Sequence, residues 1–159
     1  MILAVGAQER PLQIEGGTLP GVTSAGAAQQ RLQRSAQLPP GRTALAWCGP
    51  LLYLVAQQLC AAGGDVVAIL DTRNAARFVR ALPHAIEFMR SPYYGRGAKL
   101  LRDVNEAVPI YHDVVELAAL GNDKMMSVRF TANKRTVTLI ADHMVLHQGI
   151  VPEIHLADS

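Results

Sequence analysis

The segment from residue 43 to residue 70 constrains the fold most, because it predicts a strand, a helix and a second strand in succession. Residues 43–47 are a short apolar run, Cys48-Gly49-Pro50 forms a turn, and residues 51–62 have the broad apolar face of a buried helix. Pro50 suits the first position of that helix, and Gly63-Gly64 suits its end. Residues 65–70 are rich in β-branched side chains and continuously apolar, which is typical of a parallel strand covered on both faces. These 28 residues therefore predict a right-handed βαβ unit.

The rest of the chain extends this unit. Residues 97–106 predict a helix, residues 93–96 a loop, and residues 143–147 a last core strand. Three strand-like segments separated by two short turns predict an antiparallel β-meander. We therefore expect an α/β fold, with a Rossmann-like parallel sheet (βαβαβ) and a three-stranded antiparallel meander. The further predicted elements are helices at 74–82 and 84–90, a third parallel strand at 107–112, and meander strands at 114–120, 124–131 and 135–141.

The first 41 residues have a different character. Residues 1–5 are apolar from the start and predict a buried strand, whereas residues 8–21 contain three Gly and two Pro and predict an irregular connector. Ser24 is a suitable N-cap for a helix over residues 25–37, which Pro39, Pro40 and Gly41 would end. That proline-rich stop is the best predicted domain boundary.

Composition and charge exclude several function classes. The chain has 159 residues, a formal charge of +2 and scattered arginines, so it predicts one domain with no nucleic-acid or membrane-surface partner. No apolar run is long enough to span a membrane. Cys48 and Cys60 form no metal or redox pair, and we expect reduced thiols and a cytoplasmic location.

Catalytic and metal sites are not predicted. His143 and His147 would lie about 13 Å apart on a strand with a rise of roughly 3.3 Å per residue, which is too far for one zinc ion. The sequence has no nucleophile elbow and no general acid or base in a recognisable pattern.

Three local stretches resemble one flavoprotein family. Residues 4–11 (AVGAQERP) are similar to its A-T-G-A-x-E-R-P segment. Gly49-Pro50-Leu51-Leu52, together with Leu70-Asp71-Thr72, resembles its phosphate turn and second-strand acid. Residues 147–152 (HQGIVP) are similar to its G-x-x-P stretch. The order of elements also resembles the NAD(P)-binding domain of the two-dinucleotide, pyridine nucleotide-disulfide oxidoreductase-type enzymes. The closest branch is the FAD-dependent subunits of opine oxidase, hydrogen cyanide synthase and hydroxyproline or proline dehydrogenases.

The resemblance implies a division into three parts. Residues 1–41 would be the exit from an FAD domain, residues 42–149 an NAD(P)-binding-like domain, and residues 150–159 the return to the FAD domain. The glycine-rich motif that holds FAD in this family is not in the sequence, so the chain would be a middle fragment or a free-standing domain. FAD belongs to the intact family, and we do not expect this chain to bind it alone. Gly6 would lie near the flavin only if another chain supplied that half.

The dinucleotide fingerprint is incomplete. Its three glycine positions fall on Trp47, Gly49 and Leu52, and only the middle one is glycine. Trp47 would either block the adenosine site or stack on the base, or the turn would be purely structural. Asp71 follows Gly49 by 22 residues, as a ribose-binding acid should, although it could equally cap the next helix. Arg73 could face a 2′-phosphate, so NAD and NADP both stay open. The candidate cofactor-binding residues are Gly6, Trp47, Cys48, Gly49, Pro50, Leu51, Asp71, Arg73 and Gly149.

The expected function is therefore an NAD(P)-binding-like domain of an FAD-dependent amine or amino-acid oxidoreductase, without catalytic activity alone. NAD(P) or another adenine nucleotide would be its ligand. The alternative is a non-catalytic interaction module with a degenerate dinucleotide site. The apolar start at residues 1–5 predicts self-association in a two-fold dimer, in which residues 1–7 pair with the second copy or cover its sheet. A complementary chain carrying an FAD domain is the other expected partner.

Overall fold

The structure is a computed structural model that describes residues 6–10, 12–73, 91 and 93–152. In chain order, its elements are β1 (Ala7–Glu9), β2 (Val22–Ser24), α1 (Ala25–Ser35), β3 (Thr43–Trp47), α2 (Pro50–Ala61), β4 (Val66–Asp71), α3 (Tyr93–Ala107), β5 (Ile110–Tyr111), β6 (Val115–Leu120), β7 (Ser127–Ala132), β8 (Arg135–Ile140), β9 (His143–His147) and β10 (Ile150–Pro152).

A five-stranded parallel sheet organises the fold, with the strand order β2-β9-β3-β4-β5. A separate three-stranded antiparallel sheet, β6-β7-β8, forms the meander. The predicted α/β class, with a Rossmann-like parallel sheet and an antiparallel meander, is confirmed.

The parallel sheet lies between two apolar clusters, which explains why its strands are continuously apolar. Ala44 and Ala46 of β3 belong to the cluster shared with the meander, whereas Leu45 belongs to the cluster shared with α1, α2 and α3. The same alternation holds for Leu70 and Ile69 of β4. Neighbouring residues thus point to opposite faces, and both faces are buried.

Local signals fix the first two helices. At the start of α1, the Ala27 N–H donates to Ser24 Oγ at 3.3 Å, as predicted for an N-cap. Helix α2 begins at Pro50 and is followed by Gly63, whose φ of +87° favours glycine.

Several details differ from the predictions. Residues 22–24 form a short edge strand that pairs with β9. This strand was not predicted, because three residues after a glycine-rich connector are too few to show a strand pattern. Helix α3 begins at Tyr93, so residues 93–96 form its first turn rather than a loop. The third predicted strand shortens to Ile110–Tyr111. The predicted strand at 1–5 and the predicted helices at 74–82 and 84–90 lie outside the described residues.

The two ends of the described chain pair with each other. Strand β1 runs antiparallel to β10, with Ala7 opposite Pro152 and Glu9 opposite Ile150. Ala7, the last residue expected to pair with a second copy, thus pairs within its own chain. The dimer itself stays a prediction.

Candidate functional site

Three neighbouring strands of the parallel sheet end in an aromatic, an acidic or an imidazole side chain. Trp47 ends β3, Asp71 ends β4 and His147 ends β9, and the register places Trp47 opposite both of the others. Ligands of parallel α/β sheets bind beyond the carboxyl ends of the strands. These three residues therefore mark the candidate site.

Two residues at the turn after β3 have positive φ angles. Trp47 has a φ of +111° and Gly49 a φ of +106°, so the tryptophan occupies a conformation that favours glycine. Gly49 is the N-cap of α2 and offers no side-chain cap, and Pro50 has no N–H to offer. Leu52, at the third fingerprint position, is fully buried in the core. At the first glycine position of the fingerprint, Trp47 therefore has a strained backbone. At the third position, Leu52 packs in the core.

A groove of about 720 Å³ opens beside this turn. One side is formed by Trp47, Cys48, Thr72 and Arg73, which follow or end β3 and β4, and the other by the first strand of the meander. A second cavity, of about 600 Å³, lies at the opposite edge of the sheet near His143. The first groove is the relevant one, because it lies at the carboxyl ends of β3 and β4 and is lined by Cys48, the residue before the Gly49 N-cap of α2.

Asp71 is enclosed in a network of hydrogen bonds. Its carboxylate is 1% exposed and accepts from the Tyr53 hydroxyl at 2.7 Å. The Arg73 backbone N–H donates to Asp71 Oδ1 at 2.9 Å, and Arg73 Nε donates to Oδ2 at 2.9 Å. Arg73 Nη2 also donates to the Tyr53 hydroxyl oxygen at 2.9 Å. Both carboxylate oxygens therefore have protein partners, and the Arg73 side chain remains 51% exposed at the groove.

The ionisation of this network follows from its contacts. Burial by itself would raise the pKa of Asp71, but hydrogen bonds from Arg73 and Tyr53 and the charge of Arg73 lower it below the ordinary value. Burial and the neighbouring Asp71 raise the pKa of Tyr53 to about 12. The hydrogen bond to Asp71 raises the pKa of Arg73. The three groups therefore form an ion pair with a neutral phenol at physiological pH.

His147 is a site residue that no sequence motif predicts, since its spacing from His143 only excludes a shared metal ion. Its ring is 5% exposed, and Nδ1 lies 2.8 Å from Glu9 Oε1. The opposite edge of the ring faces the turn, since a Cβ on Gly49 would lie 3.8 Å from His147 Nε2. The available signal was a polar residue at the carboxyl end of a core strand whose middle is apolar.

Three of the remaining predicted residues, Cys48, Pro50 and Leu51, lie at or beside these groups. Cys48 is half-buried, and its N–H donates to the His147 carbonyl at 3.3 Å. Pro50 and Leu51 form the first residues of α2. Gly6 and Gly149 instead flank the β1–β10 pair, with φ of +74° and +109°, and among the described residues nothing beyond their chain neighbours lies within 4 Å of where a Cβ would be. The structure thus places the other predicted residues at the carboxyl edge of the parallel sheet, and Gly6 and Gly149 beside the two-stranded β1–β10 sheet.

Metal-ligating side chains are dispersed in this structure. Within residues 6–10, 12–73, 91 and 93–152, no three of them cluster closely enough to hold an ion. No helix among these residues is long and apolar enough to cross a membrane. Cys48 and Cys60 are both free thiols.

The fold and site define an α/β domain of Rossmann-like type, and its sequence is similar to subunits of bacterial oxidases. It is 39% identical over 159 residues to an opine oxidase subunit of Agrobacterium tumefaciens (strain Ach5). It is 35% identical over 157 residues to the alpha subunit of sarcosine oxidase of Rhizobium meliloti (strain 1021). It is also 40% identical over 80 residues, half of this chain, to hydrogen cyanide synthase subunit HcnB of Pseudomonas aeruginosa, where the match covers 17% of the relative. The expected relationship to opine oxidase and hydrogen cyanide synthase subunits is thus confirmed.

The chain corresponds to only part of these relatives. The matches cover 100% and 98% of this chain, but only 32% of the opine oxidase relative and 13% of the sarcosine oxidase relative. It therefore spans about a third or less of their length. No protein-family model matches the chain.

Solved structures of reductases and oxidoreductases share the fold. Putidaredoxin reductase, solved in a covalent complex with putidaredoxin, superposes with a TM-score of 0.63 at 20% identity, covering 98% of this chain and 36% of that one. An FAD-dependent pyridine nucleotide-disulphide oxidoreductase from Desulfovibrio vulgaris gives a TM-score of 0.61 at 20% identity, with the same coverage. These identities are low, so the similarity establishes the fold.

Proposed function

We propose that this chain is a nucleotide-binding domain, resembling an NAD(P) domain, of an FAD-dependent amine or amino-acid oxidoreductase. The observation that carries the proposal is the uncapped N-terminus of α2 behind Gly49, at the carboxyl edge of the sheet and beside a groove of about 720 Å³. Helix N-termini of this kind favour the phosphates of a nucleotide. The similarity to opine oxidase and sarcosine oxidase subunits supports an oxidoreductase context.

In this proposal the phosphates lie at the Gly49 turn and the base lies against Trp47. Trp47 is one of the residues that line the groove, which supports stacking of the base on the indole. The Asp71 carboxylate already accepts hydrogen bonds from Tyr53 and Arg73, whereas the Arg73 side chain is half-exposed at the groove. This arrangement favours a contact from Arg73 to a nucleotide phosphate over a contact from Asp71 to a ribose hydroxyl.

The domain division is part of the same proposal. Residues 42–149 would form the nucleotide domain, and residues 1–41 and 150–159 would connect it to an FAD domain. The β1–β10 pair is well placed to be that connection, since it joins the two ends of the described chain. An FAD domain on a complementary chain would supply the flavin, and this chain alone would not turn over substrate. A cytoplasmic location fits this role.

The experiment is a titration of the purified chain with NADH, NADPH, ADP and FAD. Trp47 is the only tryptophan, and it lines the groove, so its fluorescence reports directly on the site, and calorimetry supplies an independent affinity. Saturable quenching at micromolar concentration by a pyridine or adenine nucleotide is the expected result. No heat and no quenching with any of the four would refute the proposal.

A second function is favoured by two observations. Trp47 holds a strained φ of +111° and Asp71 is already satisfied by protein groups, as in a site that has lost its ligand. On this alternative the chain is a non-catalytic interaction module. Light scattering that gives the mass of a dimer, together with no nucleotide response, would support it.

A further inference from the structure

Glu9 and His147 form a pair of ionisable groups that joins the linker strand β1 to the end of β9. His147 Nδ1 lies 2.8 Å from Glu9 Oε1, and Glu9 Oε2 accepts from the Gly26 N–H at 2.9 Å. Burial alone would raise the pKa of Glu9, but hydrogen bonds from His147, Ser24 and the Gly26 amide lower it. The carboxylate is therefore ionised and accepts, so Nδ1 carries the donated proton.

The other ring nitrogen faces the turn. A Cβ on Gly49 would lie 3.7 Å from His147 Cδ2 and 3.8 Å from Nε2, so the Nε2 edge of the ring lies against the glycine. The bond to Glu9 uses Nδ1 and so leaves this edge directed at the turn. The ring is 5% exposed, so bulk water satisfies little of it.

The N-termini of α1 and α2, which lie next to this pair, differ in their capping contacts. The start of α1 is capped by Ser24 and also receives the Glu9 carboxylate. The start of α2 has no side-chain cap, and Pro50 removes one of its N–H donors. The Glu9 carboxylate thus contacts the positive N-terminus of α1. Among the described residues, the N-terminus of α2 has no such carboxylate, and His147 and the backbone lie beside it.

We propose that His147 is the anion-binding side chain of the Gly49 turn, and that a phosphate group binding there is accompanied by proton uptake at Nε2. The inference rests on the proposed function, because it requires a phosphate-bearing ligand at this turn. With Nδ1–H held by Glu9, a neutral ring presents a lone pair to the anion, which repels it. A protonated ring presents an N–H donor, so anion binding and protonation favour each other. The proton comes from solvent, and no covalent bond between protein and ligand forms or breaks.

The surroundings of the ring leave few other groups to take up that proton. Strands β2 and β3 carry no ionisable side chain, and β1 carries only Glu9. Cys48 is the remaining ionisable residue of the turn. On α1, Arg31 and Arg34 lie in the C-terminal half of the helix, and on α2 Tyr53 is bound to Asp71. On β9 itself, His143 lies at the opposite end of the strand.

The test is calorimetry of the full chain with ADP, inorganic pyrophosphate and sulfate, in two buffers of equal pH but different ionisation enthalpy. The difference in heat counts the protons taken up, and sulfate does not titrate in this range. Wild type should take up a fraction of a proton that falls toward zero as the pH is lowered. His147→Gln should abolish the uptake and weaken binding about tenfold, which corresponds to about 1.4 kcal/mol.

Two variants are matched controls. His143→Gln makes the same change at the other end of β9 and should leave affinity and proton uptake unchanged. Glu9→Gln keeps an oxygen that can accept from Nδ1 but removes the charge, so it should reduce proton uptake at a given pH.

The outcomes separate this inference from the proposed function. If nucleotides bind wild type and His147→Gln equally and without proton uptake, the inference is overturned and the proposed function stands. If wild type binds none of the anions or nucleotides, both are overturned. If His147→Gln fails to fold, the sulfate count for wild type decides, and a count of zero at every pH overturns the inference.

Discussion

The hydroxyl of Tyr53 offers the sharpest test of how the site edge is held together. Tyr53 is 3% exposed; its hydroxyl donates to Asp71 Oδ2 at 2.7 Å and accepts from Arg73 Nη2 at 2.9 Å. Tyr53→Phe removes both bonds while keeping the ring and its packing. A hydrogen bond to a charged group contributes about 1.5–3 kcal/mol. Asp71 keeps its bonds to the half-exposed Arg73, so we expect a loss of about 1–2 kcal/mol in the free energy of unfolding.

Urea unfolding monitored by circular dichroism measures this loss, and Tyr111→Phe is the matched control. Tyr111 packs edge-to-face on Phe130 at 5.0 Å between ring centroids, and its hydroxyl makes no hydrogen bond to the described residues. Its removal should cost less than about 0.5 kcal/mol, as for a change away from a specific contact. Equal losses for the two variants would refute the reasoning, since the Tyr53–Asp71 bond would then contribute nothing.

The remaining predictions concern the same edge and its supports. Asp71 has a lowered pKa in the folded state, so the stability it contributes is present above the unfolded pKa of about 3.9 and is lost as the pH falls through the folded value. The stability difference between wild type and Asp71→Asn in urea should therefore shrink in acid, and a constant difference would contradict this. Trp47→Gly should weaken nucleotide binding about tenfold in calorimetry, because base stacking contributes about 1–3 kcal/mol; tighter binding would mean that the ring blocks the site. Gly16→Ala should destabilise by about 2–4 kcal/mol, because its φ is +71° and a Cβ would lie 2.0 Å from the Ala119 carbonyl oxygen. Gly63→Ala, with a φ of +87° and open space around it, should cost only about 1–2 kcal/mol by thermal or urea unfolding.

The parallel sheet was predictable because its signals are local and repeated. The apolar runs of β3 and β4, with Pro50 and Gly63 around the helix between them, each indicate one element without reference to distant residues. The meander was predictable for the same reason, since β7 and β8 are joined by a short turn at Asn133 and Lys134, both with positive φ. Boundaries shifted by one to four residues where a helix or strand end depends on tertiary contacts.

The parts that could not be predicted depend on contacts between distant residues. Strand β2 has only three residues and exists because β9 pairs with it, about 120 positions later in the chain. Glu9 and His147 are separated by 138 positions, and neither has a neighbour that indicates the pairing. The spacing of Asp71 from Gly49 located the residue correctly at the strand end. It could not reveal that Tyr53, 18 positions earlier, would bond its carboxylate.

Three residues that cost stability lie side by side at the carboxyl edge of the parallel sheet, which supports the proposed site at this edge. Residues 44–46 of β3 and 68–70 of β4 are fully buried and aliphatic, as packing alone would select. At the ends of β3, β4 and β9, the chain instead accepts a tryptophan at positive φ, a buried carboxylate and a buried imidazole. Each of these choices costs stability relative to a glycine or an aliphatic side chain, and natural sequences tend to concentrate such costs where a site is formed. Arg73 holds the Asp71 carboxylate in place, and Glu9 holds the His147 imidazole. A polar residue placed in a core strand by accident would not be expected to have such a partner.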